Sequence, residues 1–180
     1  AGQIFVADGY GLSYVHEFRP DGAWVRTFGG GGTEEGRFRV CHGLTVDHRS
    51  EPPTLVIADR ENSRLQRFDL AGQFIGVFGK EHLRRPCKVV QQGDYLLVPD
   101  LAGRVTILGK DDELICQLGD NPDPALRAQN GVARAQWHDG AFLSPHSAAW
   151  DKDGNLYVMD WNFLGRMTRL ERIRANGDTK

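Results

Sequence analysis

The sequence predicts an all-β chain: a β-propeller of four-stranded antiparallel blades, holding about three and a half blades of a presumed six. Three observations carry that expectation. First, residues 37–79 hold four short runs of β-type residues, at 43–47, 54–58, 64–68 and 74–78, separated by turn-forming clusters at 48–53, 60–63 and 69–73. Second, the end of the second run recurs as Val6-Ala7-Asp8, Ile57-Ala58-Asp59, Val98-Pro99-Asp100 and Val158-Met159-Asp160, at spacings of 51, 41 and 60 residues. Third, an aromatic residue or Leu followed by Gly closes three of the units, at Phe28-Gly29, Phe78-Gly79 and Leu118-Gly119. Repeats of roughly 40–50 residues with four strands each indicate a propeller rather than a helical solenoid.

Taken in order, residues 1–29 supply the second, third and fourth strands of a blade, at 3–7, 14–18 and 24–28. With no initiating Met, signal peptide or first strand there, the chain is expected to be the middle or C-terminal part of a larger ring. Four consecutive glycines open the segment 29–36, which predicts a mobile loop between blades. Residues 37–79 make one complete blade, and 84–119 make another, with strands at 88–91, 95–98, 104–108 and 114–118. The 21 residues 120–140, rich in Asn, Asp, Ala and Pro, predict a loop on one face of the disc with a helical turn near 124–129. The last unit, 142–174, offers strands at 147–150, 155–159 and 165–171, bringing the total to 14. Blade faces left open at both ends predict self-association.

Composition narrows the function classes. Twenty-two Gly and eight Pro supply turns, and a net charge of -2 argues against a nucleic-acid backbone as partner. No apolar run approaches the ~20 residues of a membrane-spanning helix. The three cysteines, Cys41, Cys87 and Cys116, form no CxxC pair and no even set, so they leave the redox compartment open.

The first strand of each blade lines a propeller's central channel, so residues at its start gather around the axis at one rim. His42, Cys87 and His146 hold that place in successive units, in Cys41-His42-Gly43-Leu44, Pro86-Cys87-Lys88-Val89 and Pro145-His146-Ser147-Ala148, each expected immediately before its strand. Two imidazoles in alternate blades of a six-bladed ring predict part of a three-fold collar suited to zinc, with a third His outside this chain and an open coordination position. Cys87 reads as a small channel residue or an extra soft ligand, while His16, His48, His82 and His138 have no repeat partner and read as incidental. A single His at a strand entrance is ordinarily a hydrogen-bonded structural residue; two at matching positions bring metal binding level with that reading. Tyr10 and Arg60 form a second pair, each following the Asp region at the end of a second strand, and are expected on the same rim. A phenol's ordinary pKa lies near ~10, so a tyrosine base at neutral pH needs about 3 units of lowering, which a metal ion and an arginine can supply. Taken by themselves, these two residues are equally served by Arg60 pairing with Asp59 or Glu61 and Tyr10 covering the channel. Asp151-Lys152-Asp153-Gly154-Asn155 lacks the glycine position and bidentate Glu of a calcium loop and predicts a hairpin turn.

The repeat pattern, VAD or IAD, then RENSRLQRF, an aromatic-Gly end and CHGL or PH, resembles NHL-repeat six-bladed propellers over essentially the whole chain. Within them, DGYGLSYVHEF, CHGL, ADRENSRLQRF and SPHSAAW followed by DGNLYVMD resemble the catalytic domain of peptidyl-α-hydroxyglycine α-amidating lyase and its bacterial relatives. That resemblance implies a zinc-dependent lyase that cleaves a hydroxyglycine-extended peptide to the peptide amide and glyoxylate. It also implies His42 and His146 as two of three zinc ligands, Tyr10 as the catalytic tyrosine, Arg60 as an active-site arginine, and a secreted or periplasmic setting. Where the family has a Met and a calcium-ligating acidic residue around the last zinc His, this chain has Ser144 and Ser147, which argues against calcium there. The rival reading is a non-catalytic propeller that binds a peptide or protein on the same rim, with structural histidines.

Overall fold

The computed structural model describes residues 2–173. Fourteen strands among them form four antiparallel sheets, each running in sequence order. The first holds β1 (Ile4–Asp8), β2 (Tyr14–Phe18) and β3 (Trp24–Gly29). The second holds β4 (Cys41–Asp47), β5 (Thr54–Asp59), β6 (Arg64–Phe68) and β7 (Phe74–Phe78). The third holds β8 (Val90–Gln92), β9 (Tyr95–Asp100), β10 (Arg104–Leu108) and β11 (Leu114–Leu118). The fourth holds β12 (Pro145–Trp150), β13 (Leu156–Asp160) and β14 (Arg166–Leu170). This is the all-β propeller arrangement that the repeats predict, about three and a half blades of it. No helix among the described residues is long and apolar enough to cross a membrane.

The core lies between blades, because each sheet packs face to face on the next. Val15 meets Phe38, Leu55, Ile57 and Phe68 between the first two sheets. Val56, Ala58 and Leu65 meet Val89, Leu96, Val98 and Leu108 between the second and third. Leu97, Val105 and Ile107 meet Phe142, Ala148, Leu156 and Val158 between the third and fourth. Every residue of β5 and β10 is therefore buried, a pattern expected of strands covered on both faces. The end sheets show the one-sided alternation instead: Ile4 and Val6 in β1, and Met159 in β13, are exposed.

In the second, third and fourth blades a buried carboxylate fixes the upper rim. Asp59 accepts from the Arg39 backbone N–H (2.8 Å) and from the side chains of Arg64 (2.7 Å), Gln66 (3.0 Å) and Asn62 (2.8 Å). Asp100 accepts from the Arg84 and Arg85 N–H groups at 2.6 and 2.8 Å, and Asp160 from those of Leu143 and Ser144 at 3.1 and 2.7 Å. Arg104 and Arg166 stand 3.8 and 3.7 Å from these two carboxylates, as Arg64 stands beside Asp59. In these three blades, the end of the second strand thus grips the segment leading into the first.

Several local expectations are corrected. His42 and His146 lie within β4 and β12 rather than before them, because both strands start earlier and are bulged at these residues. Segment 29–36 is pinned rather than mobile: Gly31 bridges to Phe38, the Gly36 N–H donates to Gln66 (2.8 Å), Asn62 donates to the Gly32 carbonyl (3.0 Å), and Phe38 is fully buried. The inner strand of the third blade spans Val90–Gln92 rather than 88–91; ahead of it a single Pro86–Asp100 bridge and the Cys87 N–H to Pro99 carbonyl bond hold the approach to β9. Segment 120–140 carries the expected turn at Pro124–Leu126 and a second at Arg134–Gln136, and it is tied to the rim by Ala128 N–H to the Leu143 carbonyl and Phe163 N–H to the Asn130 carbonyl. Residues 151–155 form the expected hairpin turn, with Gly154 at φ +84°.

Asp59→Ala strands Arg64 and Gln66 in the interior, so it should lower the unfolding free energy by about 3–5 kcal/mol. Urea unfolding followed by tryptophan fluorescence reads this out. A loss below about 1 kcal/mol would show that the rim carboxylate is dispensable.

Candidate metal centre

The bulges aim the rim histidines. Cys41 pairs with Asp59 and Leu44 with Ile57, so His42 and Gly43 together face the single residue Ala58. Pro145 pairs with Asp160 and Ser147 with Met159, which leaves His146 as the extra residue. A bulge of this kind turns a side chain out of the regular alternation. Here both imidazoles come to lie beside each other, 4.7 Å apart centroid to centroid.

Two glycines let the backbones close in. A Cβ on Gly43 would stand 2.4 Å from the Cys87 carbonyl oxygen, and one on Gly9 would stand 2.5 Å from that of Cys41. Gly43 therefore allows the second and third blades to touch at the rim, and Gly9 allows the Tyr10 turn to lie beside His42. The Asp8 carboxylate holds that turn by accepting from the Gly11 and Leu12 N–H groups at 3.0 and 3.2 Å. Arg60 begins a short 3-10 turn whose Arg60 and Glu61 N–H groups donate to the carbonyls of Val40 and Arg39, the approach to His42. Val40 sits at φ +62°, a strained setting for a β-branched residue, directly before Cys41-His42.

The side chains form one directed row. The Cys87 carbonyl can only accept, so His42 Nδ1–H donates to it at 2.8 Å and Nε2 is left with its lone pair. The Tyr10 hydroxyl, 3.2 Å from that Nε2, then donates to it, and Arg60 donates to the phenol oxygen at 2.9 Å. The His146 ring stands 4.7 Å from the His42 ring, centroid to centroid, at an interplanar angle of 83°. Tyr10 is 77% exposed, whereas Arg60 is buried, with its Nε on Glu61 (2.9 Å), and Glu61 also takes Arg85 (2.6 Å). An open depression of about 330 Å³ is lined by His42, Gly43, Leu44, Cys87, Lys88, His146 and Ser147.

The electrostatics favour neutral rings. Burial lowers the pKa of His42 from 6.5, with the Arg60 and His146 charges adding to it against the Cys87 carbonyl bond. Burial and Arg60 lower that of His146 in the same way. Burial pushes the Cys87 thiol up to about 11 despite the nearby Arg60.

The donor set fits a metal ion. A nitrogen from each of His42 and His146 and the Cys87 sulfur all lie within 4.8 Å of one another. Imidazole and thiol donors suit zinc and similar late transition metals, and exclude the all-oxygen preference of calcium and magnesium. His42 Nε2 has one lone pair, so it either accepts from Tyr10 or ligates a metal.

All four residues singled out from the sequence, Tyr10, His42, Arg60 and His146, lie around this one point. The plainer alternative for Arg60 is present as well, since its Nε pairs with Glu61 while NH1 serves Tyr10. Sequence reasoning named Glu61 as a partner for Arg60 but missed Arg85 behind it, and the part played by Asp59, Asp100 and Asp160 in placing the rim. The recurring Asp, with an Arg four to six residues later, was the signal for the latter.

No family model matches the chain. A stretch of 79 residues is 38% identical to peptidyl-glycine alpha-amidating monooxygenase B of Xenopus laevis, covering 41% of this chain and 9% of that protein. The Mus musculus peptidyl-glycine alpha-amidating monooxygenase is 39% identical over 72 residues, 37% of this chain and 7% of that protein. The chain therefore matches less than a tenth of the length of these relatives. Among solved structures, selenomethionine-substituted virginiamycin B lyase from Staphylococcus aureus superposes at a TM-score of 0.61 with 10% identity, over 97% of this chain and 54% of that one. A streptogramin B lyase superposes at 0.59 with 11% identity, over 97% and 52%. These likenesses, at such low identity, concern the propeller-type fold alone.

The folded pKa of each rim histidine lies below its unfolded value, so the unfolded chain binds more protons in the interval between them. The stability they contribute is complete above about pH 6.5, the unfolded value, and is lost as pH falls below it through the lowered folded pKa of each ring. In metal-free protein, NMR titration of the imidazole resonances should give midpoints below 6.5 for His42 and His146. Midpoints above 6.5 would contradict the buried, neutral arrangement.

Proposed function

We propose that this chain carries metal-binding and proton-transfer residues of a propeller lyase related to peptidyl-α-hydroxyglycine amidating lyase. The reaction breaks the C–N bond of a hydroxyglycine-extended peptide to give the peptide amide and glyoxylate. The observation that carries the reading is the row Arg60, Tyr10, His42, with His146 beside it, on one open rim. The 38% identity over 79 residues to an amidating monooxygenase supports it.

His42 and His146 would hold a zinc-class ion, joined by a further ligand; when bound, the ion supplies Lewis-acid polarisation of the substrate hydroxyl. Tyr10, exposed at the rim and first deprotonated to the phenolate with its proton released to solvent, would take the hydroxyl proton and return it to the departing nitrogen. The C–O bond becomes the aldehyde carbonyl of glyoxylate, the C–N pair returns to nitrogen, and nitrogen takes up a proton to complete the amide. Arg60 already donates to the phenol oxygen, and its fixed positive charge steadies the negative charge that develops. Glu61 and Arg85 hold that guanidinium still, so its donor is oriented before substrate arrives.

The test is release of glyoxylate from a hydroxyglycine-extended peptide by the zinc-loaded protein. Tyr10→Phe should lower kcat by about 100-fold or more while zinc content is unchanged. Absence of glyoxylate release, or full turnover by Tyr10→Phe, would overturn the reading.

A further inference from the structure

We infer that Cys87 is itself a metal ligand, so that His42, Cys87 and His146 form a His2Cys set contributed entirely by this chain. The inference rests on the metal-site reading above and goes beyond its pair of histidines. Cys87 takes the repeat position of the two rim histidines: it follows Pro86 as His146 follows Pro145, and its carbonyl orients His42. Its sulfur lies within 4.8 Å of both imidazole donors, and it lines the same depression. The residue is 1% exposed; its thiol makes a long contact of 3.8 Å with the Arg85 carbonyl and has the Arg60 guanidinium beside it, a positive charge that favours the thiolate a metal needs.

Cys41 shows what a purely structural thiol does here. It is equally buried, but its sulfur donates to the Tyr14 carbonyl at 3.3 Å and belongs to the apolar core between the first two blades. Cys116 lies on β11, packed against the core between the third and fourth blades. Only Cys87 among the three points its sulfur at other ligand atoms. On metal binding its S–H bond breaks, the proton leaves to solvent and the thiolate pair forms the metal–sulfur bond. One soft thiolate beside two imidazoles selects zinc, cobalt(II) and cadmium over magnesium and calcium.

The experiment loads the purified protein with cobalt(II). We expect stoichiometric binding with a near-ultraviolet sulfur-to-cobalt charge-transfer band. The band should disappear in Cys87→Ser and persist in Cys41→Ser and Cys116→Ser, each checked by circular dichroism for intact sheet. Cobalt affinity should fall in Cys87→Ser by more than the ~10–100-fold that loss of an outer partner costs. X-ray absorption of the unmutated, zinc-loaded protein needs no variant and should show one sulfur scatterer at about 2.3 Å. Stoichiometric metal with only nitrogen and oxygen scatterers would overturn the thiolate ligand and leave the two-histidine reading standing. No stoichiometric binding, or binding unchanged in His42→Ala and His146→Ala, would overturn both.

Discussion

The fold and the site both depend on a buried carboxylate at the end of the second strand in three of the four blades. A carboxylate without charge or hydrogen-bond partners is costly in an apolar interior, so Asp59, Asp100 and Asp160 gather N–H donors and an arginine around themselves. The donors they recruit are the backbone groups two to three residues ahead of His42, Cys87 and His146. The same contact that neutralises the interior therefore sets where each rim residue stands. In the first blade the Asp8 carboxylate turns to the following loop instead, and places Tyr10.

Convergence of the rim residues also requires that the blades keep their relative angle, and both rims see to that. Above, Gly43 lets the second blade rest on the Cys87 backbone. Below, Arg49 spans Asp47 of its own blade and Asp112 of the next at 2.8 Å each, and Arg67 reaches the same two carboxylates at 3.3 and 2.8 Å. Burial works against the Asp47 charge, but the Arg49 hydrogen bonds and the nearby Arg67 hold its carboxyl below the usual range. The apolar layers between the blades fill the space in between. A shift of one blade would carry its rim residue away from the other three.

Much of this was legible in the sequence, because a repeat converts one pattern into many placements. The strands at 14–18, 64–68 and 104–108 and the convergence of Tyr10, His42, Arg60 and His146 follow from equivalent positions in successive units. What the pattern does not encode is local. Pairing in β4 and β12 depends on bulges, which put His42 and His146 inside their strands rather than ahead of them. The glycines at 29–32 signalled freedom, yet Gln66, Asn62 and Arg64 from the second blade supply long-range partners that a linear reading cannot see. The placing role of Asp59, Asp100 and Asp160 was present in the repeat but hidden, since the residues they hold lie 15 to 20 positions away in the chain.

The central claim is that these carboxylates and bulges bring two neutral imidazoles to a single metal. A crystal structure of the zinc-soaked protein, with anomalous scattering measured across the zinc edge, tests it most directly. The account requires one strong anomalous peak about 2.0–2.1 Å from His42 Nε2 and bonded also to His146. A map without a peak there, or with the two rings turned to different sides of the disc, would contradict it.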